Sequence, residues 1–270
     1  MSYQIGVILF TFLLLVSSSQ SVNRRDYKSV PASKLKFNSR IVGGEVADLG
    51  AAPYQVSIQN GFGNHMCGGV IVHDQYILTA ASCVTGMHKS NVKTVMSTND
   101  WAGPAWEYYT EEIIIHCKFD QPLYHNDIAL IKMKSKVAYD EVTQNITIAA
   151  LDDLVEGDKL VMTGWGSSEE GGDYEFDLKK LELTYVPLAK CNSTFGYTKD
   201  LDIGHVCAVG KAGAGACYGD QGGPLVDSRG RLVGIGNWGV PCGREFPDVF
   251  ARVSFYYDWI QSTIKGCGIY

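Results

Sequence analysis

The sequence predicts an all-β fold that ends in one helix. Short runs rich in β-branched residues alternate with polar turns from Ile41 onward, a pattern typical of antiparallel strands. Eight cysteines, an even number, lie in the same region and are typical of a disulfide-stabilised domain in an oxidising compartment. This region of 230 residues is long enough to bury a large core as one all-β domain.

The first predicted strands follow from side-chain alternation. Residues 54–59 (Tyr-Gln-Val-Ser-Ile-Gln) alternate apolar and polar side chains, which predicts a half-buried strand. Residues 67–72 and 76–81 are apolar, β-branched runs separated by the turn at 73–75, which predicts two further strands. Residues 181–186 alternate again and predict a strand in the second half of the chain.

The C-terminal region departs from the strand pattern. Large side chains recur at i, i+3, i+4 and i+7 through residues 255–266, which predicts a helix. Ser254 can cap its start and Gly266 can end it.

The N-terminal 40 residues have the composition of targeting and processing segments. An apolar run from Ile5 to Val16 suits the core of a signal peptide over residues 1–21 and is short for a membrane span. An N-terminal membrane anchor is the alternative. Residues 22–40 are basic, polar and free of cysteine, so we expect a flexible activation segment ahead of a domain over 41–270. The mature chain is therefore expected to be secreted and soluble.

Charge excludes some classes of partner. From Ile41 onward there are 17 Lys and Arg against 28 Asp and Glu, a net charge of −11, which argues against nucleic acid or an anionic membrane. Metal-site spacing such as Cys-x-x-Cys is absent from the sequence, and the turn at 100–104 lacks carboxylates at calcium-loop spacing. We therefore expect no metal and no cofactor.

A glycine-rich turn near the C-terminal end carries the strongest motif. Residues 215–224 read Gly-Ala-Cys-Tyr-Gly-Asp-Gln-Gly-Gly-Pro, a backbone that can bend sharply, present one polar side chain and aim amide N–H groups at an anion. The stretch resembles the nucleophile turn of the chymotrypsin/trypsin family of serine proteases, Gly-Asp-Ser-Gly-Gly-Pro. Gln221 stands where that family has serine, and an amide has no hydroxyl to attack a peptide carbonyl.

The other two triad positions follow from further motifs. Residues 79–83 read Thr-Ala-Ala-Ser-Cys and resemble the family's Thr-Ala-Ala-His-Cys, so Ser82 replaces the general base with a hydroxyl that cannot accept a proton near neutral pH. Asp127, in the stretch 126–131, matches the aspartate that orients the histidine. We expect it to hydrogen-bond Ser82 or water.

None of the six histidines is predicted to replace the base. His65 resembles a position that partners the Asp220 equivalent before activation, and His125, although next to Asp127, is not aimed at Gln221. The remaining four fall on turns or strand ends, where a solvated histidine is expected: His73, His88, His116 and His205.

The resemblance also implies an activation switch. Arg40-Ile41-Val42-Gly43-Gly44 is similar to the site at which cleavage after the basic residue frees a new N-terminus. The Ile41 ammonium would then pair with the buried Asp220, which is costly to bury unpaired, and would order the turn around Gln221.

Nearly all of the mature chain shares the resemblance, which implies two antiparallel six-stranded β-barrels, a cleft between them and the C-terminal helix. Residues 163–166 resemble a strand end of the second barrel. The acidic loop 167–177 that follows borders the cleft in this family. It is either a solvated loop or a contact surface for a basic partner.

Disulfides follow from the same family matching. It implies that Cys67 pairs with Cys83, Cys191 with Cys207, and Cys217 with Cys242. Cys117 and Cys267 remain, and we pair them because the C-terminal helix of this fold runs near the loop of Cys117. An intermolecular link is the alternative.

The cleft positions are inferred by motif. The backbones of Gly219 and Gln221 would form the oxyanion site. Gly215, Gly239 and Asp248 would form the specificity pocket, where Asp248 either favours a basic side chain or fills the pocket.

Two sequons, at Asn145 and Asn192, predict glycosylation in a secreted protein.

Together these features predict a secreted, non-catalytic serine protease homologue, similar to inactive members found among arthropod proteins. We expect a monomer that binds proteins: an upstream trypsin-like protease, components of an extracellular cascade, or inhibitors. A peptidase of altered or residual activity is the alternative from the enzyme class. A structural or storage role in a secreted fluid is the third hypothesis.

Overall fold

A computed structural model of the protein describes residues 41–151 and 153–266. The predicted signal peptide (1–21), the predicted activation segment (22–40) and Cys267 lie outside the described residues. The structure confirms the predicted all-β class and its two six-stranded antiparallel barrels.

The first barrel is built from the N-terminal half of the domain. Its strands close in the order β2-β3-β4-β7-β6-β5, every pair antiparallel. Successive side chains of a strand point to opposite faces, so every second residue points into the barrel. The side chains that line the interior are β-branched or otherwise aliphatic and have no exposed surface. The strands are β2 (Gln55–Asn60), β3 (His65–His73), β4 (Tyr76–Thr79), β5 (Val92–Met96), β6 (Trp106–Ile115) and β7 (Ala129–Met133).

The second barrel closes in the order β9-β10-β11-β14-β13-β12, again antiparallel throughout. Two short strands extend it: β1 pairs with β10, and β8 pairs in parallel with β13. The strands are β1 (Glu45–Val46), β8 (Thr147–Ile148), β9 (Lys159–Gly164), β10 (Lys179–Val186), β11 (His205–Val209), β12 (Pro224–Asp227), β13 (Arg231–Trp238) and β14 (Asp248–Arg252).

Strand β2 is buried on both faces, so the prediction of a half-buried strand is wrong. Its polar residues Gln55, Ser57 and Gln59 are almost fully buried. Each polar side chain has a hydrogen-bond partner. Thr163 Oγ1 of the second barrel donates to Gln55 Oε1 at 2.6 Å, Ser57 Oγ contacts His65 Nδ1, and Gln59 Nε2 donates to the Trp101 carbonyl. Alternation therefore marks here a strand with one apolar face and one polar face, both of them buried.

Two α-helices are described, α1 (Leu188–Thr194) and α2 (Tyr257–Ile264). Helix α2 is the predicted C-terminal helix, but Ser254 does not cap it: Tyr256 is the N-cap and makes no side-chain capping bond. Gly266 ends the helix in a left-handed conformation (φ +74°). Helix α1 overlaps the start of the segment that the Cys191–Cys207 disulfide closes. In the described part of the chain no helix is long and apolar enough to cross a membrane.

Among the residues that the structure describes, three disulfides are formed, and they are the three that the resemblance implies: Cys67–Cys83, Cys191–Cys207 and Cys217–Cys242. Cys117 is exposed and unpaired among the described residues. Because Cys267 lies beyond those residues, the Cys117–Cys267 link stays a prediction.

Candidate active site

The turn that carries Gln221 lies against the first barrel. The amide of Gly68 on β3 donates to the carbonyl of Gln221 at 2.8 Å. A Cβ at Gly222 would lie 2.3 Å from Thr79 Oγ1 and 2.4 Å from Gly68 O, so only glycine permits this approach. Thr79 ends β4, and the short 3-10 turn with Ser82 follows at once. The strands thus bring the Gln221 turn next to the segment that carries Ser82.

Asp127 and Ser82 form the contact that the sequence predicted for them. The Ser82 amide donates to Asp127 Oδ1 at 2.7 Å, and the Ser82 hydroxyl donates to Oδ2 at 2.8 Å. Asp127 is 4% exposed, and burial raises its pKa while the Ser82 hydrogen bonds act in the opposite direction. Both carboxylate oxygens are therefore used by one residue that cannot act as a base.

Gln221 turns its side chain back on its own loop. Its Oε1 accepts a hydrogen bond from the Gly219 amide at 3.0 Å. Gly219 has a φ of +96°, and a Cβ there would lie 2.9 Å from the Tyr174 ring, so the position requires glycine. The oxyanion site inferred from the Gly219 and Gln221 backbones is thus not an open pair of donors, because the Gly219 N–H already has an acceptor.

His65 is buried under this turn. Its Nδ1 lies 2.8 Å from Ser57 Oγ and its Nε2 lies 3.0 Å from the Gly219 carbonyl. A carbonyl only accepts, so Nε2 carries the proton. Burial lowers the pKa of His65 to about 4. The imidazole is therefore neutral, and its hydrogen bond fixes the position of the Gly219 carbonyl. No motif in the sequence pointed to Ser57, because its contact with His65 depends on the register of β2 and β3.

Two other histidines share one carboxylate away from Asp127. His125 Nδ1 and His205 Nδ1 each lie 3.0 Å from an Asp202 oxygen. The Nε2 of His125 contacts the Lys199 carbonyl at 3.1 Å, so both ring nitrogens of His125 have partners other than Gln221. His205 is 1% exposed, so the prediction of a solvated histidine is wrong there. Its Nδ1 contacts Asp202, and its Nε2 lies 3.4 Å from the Tyr124 carbonyl.

His116 is also not freely solvated. Its ring packs edge-on against Tyr256 and Trp259, at centroid distances of 5.5 and 5.3 Å. Burial, with a smaller contribution from Lys118, lowers its pKa. His116 therefore belongs to the packing of helix α2 and not to the cleft.

The residues implicated in activation meet in the second barrel. Ile41 has no exposed surface and packs in the cluster that contains Leu160 and Met162. Val42 pairs with Gly215, whose amide donates to the Val42 carbonyl at 3.0 Å. Arg40 lies outside the described residues.

Asp220 is buried between two backbone donors. Its oxygens accept from the amides of Gly166 at 2.8 Å and Cys217 at 3.0 Å. A Cβ at Gly164 or Gly166 would clash with the carboxylate at 2.2 or 2.3 Å, so these glycines make room for it. Burial raises the pKa of Asp220 to about 7, and the two backbone bonds lower it by less.

Asp248 lines the candidate specificity pocket together with Gly239. Its Oδ2 accepts from the Ala216 amide at 2.9 Å. A Cβ on Gly215 would lie 3.1 Å from Oδ2, and one on Gly239 would lie 3.2 Å from Oδ1, so all three predicted pocket residues lie together. The remaining cavity is about 30 Å³, roughly the space of one water molecule. Burial raises the pKa of Asp248 to about 7, and the nearby Asp220 adds to the rise.

The acidic loop is anchored at both ends. Ser167 is fully buried and its hydroxyl donates to the Glu169 carbonyl at 2.6 Å. Phe176 stacks on Trp101 with ring centroids 5.4 Å apart. Glu170 pairs with Arg244. The loop is therefore an ordered acidic surface beside the cleft.

The two sequons differ in exposure. Asn145 is exposed. Asn192 is half-buried within α1, and its Oδ1 is buried without a hydrogen-bond partner among the described residues. In the described ranges no group of three His, Cys, Asp or Glu side chains is arranged to hold a metal ion.

Comparison with known proteins agrees with the fold and the motifs. The family profile named Trypsin matches residues 41–260. Trypsin epsilon of Drosophila erecta is 34% identical, over 85% of this chain and 90% of its own length. Trypsin-1 of Astacus astacus is 34% identical and chymotrypsin-2 of Vespa crabro 35%, each match covering 83% of this chain and 99% of the relative. The structure of neuropsin, described as a serine protease expressed in the limbic system of mouse brain, superposes with a TM-score of 0.74 at 28% identity, covering 82% of this chain and 98% of neuropsin.

Proposed function

Because this chain belongs to the trypsin family of serine proteases, we propose that it is a secreted, non-catalytic member that acts by binding other proteins. The observation that carries the proposal is the identity and bonding of the two replaced residues. Ser82 holds both oxygens of Asp127, and Gln221 holds the Gly219 amide. Gln221 has no hydroxyl or thiol to act as the nucleophile at its position, and the Ser82 hydroxyl cannot act as the general base at its position.

The bonding of Gln221 also weakens the case for residual turnover. A triad-deficient protease keeps some rate over water through its oxyanion donors and substrate binding. Here a substrate carbonyl would have to displace Gln221 Oε1 from the Gly219 N–H before that donor could stabilise developing charge. The three named relatives are trypsins and a chymotrypsin, which is the observation that favours the enzymatic alternative.

Restoring the two missing groups tests the proposal. We expect the protein cleaved after Arg40 to show no peptide turnover and no labelling by a fluorophosphonate reagent, and the same for Ser82→His and Gln221→Ser alone. The double variant Ser82→His/Gln221→Ser should gain labelling and turnover, since Asp127 is in place to orient a histidine. Adding Asp127→Ala should then reduce the regained activity strongly, because the histidine loses its orientation.

Assays of the unmodified protein distinguish the non-catalytic hypothesis from the enzymatic one. Turnover by the unmodified protein that disappears on Gln221→Ala would overturn the non-catalytic assignment. Turnover that persists in that variant would point to a contaminating protease, so the assay includes both forms from parallel preparations.

The binding activity is proposed to depend on cleavage after Arg40 by an upstream trypsin-like protease. Complete burial of Ile41, the Val42–Gly215 pairing and the buried carboxylate of Asp220 support this, since a new ammonium at Ile41 would give Asp220 a counter-charge. Affinity capture from the source fluid with uncleaved and cleaved protein side by side tests the switch. Asp220→Asn, cleaved in the same way, is the matched control. Equal recovery of the same proteins by all three forms would refute it.

Secretion and partner class complete the proposal. Three disulfides and the net negative domain charge support an extracellular protein that binds proteins and not nucleic acid. The ordered acidic loop supports a basic surface on the partner, such as a protease inhibitor or another component of an extracellular cascade. Binding that is unchanged between 0.05 and about 0.5 M salt would contradict an electrostatic contact.

A further inference from the structure

Residues 118–126 form a loop between strands β6 and β7 that is hydrogen-bonded within itself. We call it the cleft loop. Asp120 Oδ1 accepts from the Tyr124 amide at 2.8 Å. Asn126 Nδ2 donates to the Lys118 carbonyl at 3.0 Å and so joins the two ends of the loop. Because these bonds close the loop on itself, it can move as one unit.

Tyr124 places the cleft loop against a wall of the cleft. Its ring contacts the Trp238 ring at a centroid distance of 5.8 Å. Trp238 lines the same cavity as Gln221. The Tyr124 carbonyl also accepts from Asn237 Nδ2 at 3.3 Å. The loop therefore covers part of the wall that leads to the Gln221 turn.

The backbone of the cleft loop is strained at Tyr124, whose φ is +65°. Asp120 and Asn126 are also left-handed, at +59° and +56°, but aspartate and asparagine tolerate this region and a bulky tyrosine does not. Strain of this kind persists only where the surrounding structure holds it. Contacts from outside the loop must therefore keep Tyr124 in place.

The contacts that hold the cleft loop converge on the carboxylate of Asp202. His125 places its Nδ1 3.0 Å from Asp202 Oδ2 and its Nε2 3.1 Å from the Lys199 carbonyl. His205 places its Nδ1 3.0 Å from Asp202 Oδ1, and its Nε2 donates to the Tyr124 carbonyl at 3.4 Å. The two buried rings meet edge to face, with centroids 5.2 Å apart. One carboxylate thus fixes both rings, and one of these rings holds the strained residue.

We propose that the cleft loop is a gate on the cleft and that Asp202 is its latch. While Asp202 holds His125 and His205, Tyr124 stays on Trp238 and the wall is covered. When these contacts are lost, release of the strain at Tyr124 drives the loop away from Trp238. The Asp202 side chain is 43% exposed, so solvent and bound molecules can reach the latch. The gate acts on the cleft whether the cleft catalyses or only binds.

Hydrogen exchange of the full-length protein tests the latch. Asp202→Ala should speed amide exchange in residues 118–126 by about 10- to 100-fold, because contacts with a charged group are lost, and should leave β12 (224–227) unchanged. Asp200→Ala is the matched control, since Asp200 lies on the same loop as Asp202 and its side chain accepts from Thr198 Oγ1. Unchanged exchange in 118–126, or an equal increase in both variants, would overturn the proposal.

A second variant makes the test independent of how one substitution affects folding. His125→Ala removes the ring that Asp202 holds and should speed exchange in 118–126 to a similar extent. Because both changes break the same contact, Asp202→Ala/His125→Ala should speed it by less than the product of the two single factors. Factors that multiply would overturn the latch. If Asp202→Ala does not fold, unchanged exchange in His125→Ala would overturn it equally.

Fluorine NMR tests whether release of the loop uncovers the cleft wall. The five tryptophans are replaced by 5-fluorotryptophan, and the Trp238 signal is assigned from Trp238→Phe. The difference in its chemical shift between H2O and D2O reports contact with solvent. It should grow in Asp202→Ala and in Tyr124→Gly, which removes the ring and suits the left-handed backbone, and should keep its native value in Asp200→Ala. A Trp238 signal that is unchanged in Asp202→Ala would overturn the gate, even with faster exchange in the loop.

Discussion

Replacing the buried Asp248 by asparagine should flatten the pH dependence of stability in the uncleaved protein. Asparagine keeps the shape of the side chain and an oxygen to accept from the Ala216 amide, which lies 2.9 Å from Asp248 Oδ2. It removes only the titration. The variant therefore isolates the cost of ionising a carboxyl that the fold buries to 4% exposure.

The size of the effect follows from the pKa difference. The Asp248 pKa is about 7 in the folded protein against the ordinary 3.8. Below about pH 4 both states hold the proton, and above about pH 7 both have lost it. In between, the unfolded chain ionises first, so stability falls as pH rises, by about 4 kcal/mol in all. Asp220, whose pKa is also about 7, adds a fall of the same sign in both proteins.

Urea unfolding from pH 4 to 8, with disulfides intact, measures the difference. The variant should gain stability relative to the native protein as pH rises, up to about 4 kcal/mol by pH 8. Asp173→Asn, the same change on the exposed acidic loop, is the control and should track the native protein. If the free energy of unfolding changed with pH in the same way in the native protein and in Asp248→Asn, a raised pKa of Asp248 would be refuted.

The same variant separates the two roles of Asp248. A pocket open to a basic side chain would bind benzamidinium, raise the Tm of the native protein and lose the shift on Asp248→Asn. We expect no shift in either protein at millimolar benzamidine, because the cavity of about 30 Å³ leaves no room for the ring. A shift seen only in the native protein would establish the basic specificity instead.

Three further predictions concern single groups. Ser82→Ala leaves one oxygen of the buried Asp127 without its hydroxyl donor. It should lower the free energy of unfolding by about 1–3 kcal/mol at pH 7, and by less at pH 3, as measured by denaturant unfolding. An equal loss at both pH values would contradict a role for the charge of Asp127. Gly219→Ala meets the Tyr174 ring at 2.9 Å with φ at +96° and should destabilise by about 1–3 kcal/mol, with a loss under about 0.5 kcal/mol as the contrary result. Asn145→Gln should remove one glycan from the secreted protein, seen as a mass loss equal to that from enzymatic deglycosylation at that site; an unchanged mass would show the sequon unused.

Motif matching predicted the architecture because its signals are local. Short motifs carry the resemblance to the family: the turn around Gln221, the segment with Ser82 and the three cysteine pairs. Because one family shares all of these motifs, the resemblance predicts the order and pairing of many strands together. The Ser82–Asp127 contact was predictable in the same way, since the family fold makes those positions neighbours.

What the sequence did not reveal are contacts across the structure. The polar face of β2 is buried because Gln55 contacts Thr163 of the other barrel and Gln59 contacts the Trp101 loop. A pattern of alternation alone predicts that such a face is exposed to solvent. His205 is buried for a similar reason, through the carboxylate it shares with His125. The fold of Gln221 onto Gly219 depends on a side-chain rotamer, which neither composition nor motif spacing encodes.

Ser82 and Gln221 each satisfy one polar group of the cleft through their side chains. Without the Ser82 hydroxyl, Oδ2 of the buried Asp127 would lose its side-chain donor, and without the Gln221 amide the Gly219 N–H would lose its acceptor, each at about 1–3 kcal/mol. The two side-chain hydrogen bonds are 2.8 and 3.0 Å long, and the backbone amide of residue 82 adds a bond of 2.7 Å to Oδ1. Both polar groups are therefore bonded within the chain and would have to be released before a substrate carbonyl could use them. This bonding supports the proposed non-catalytic role.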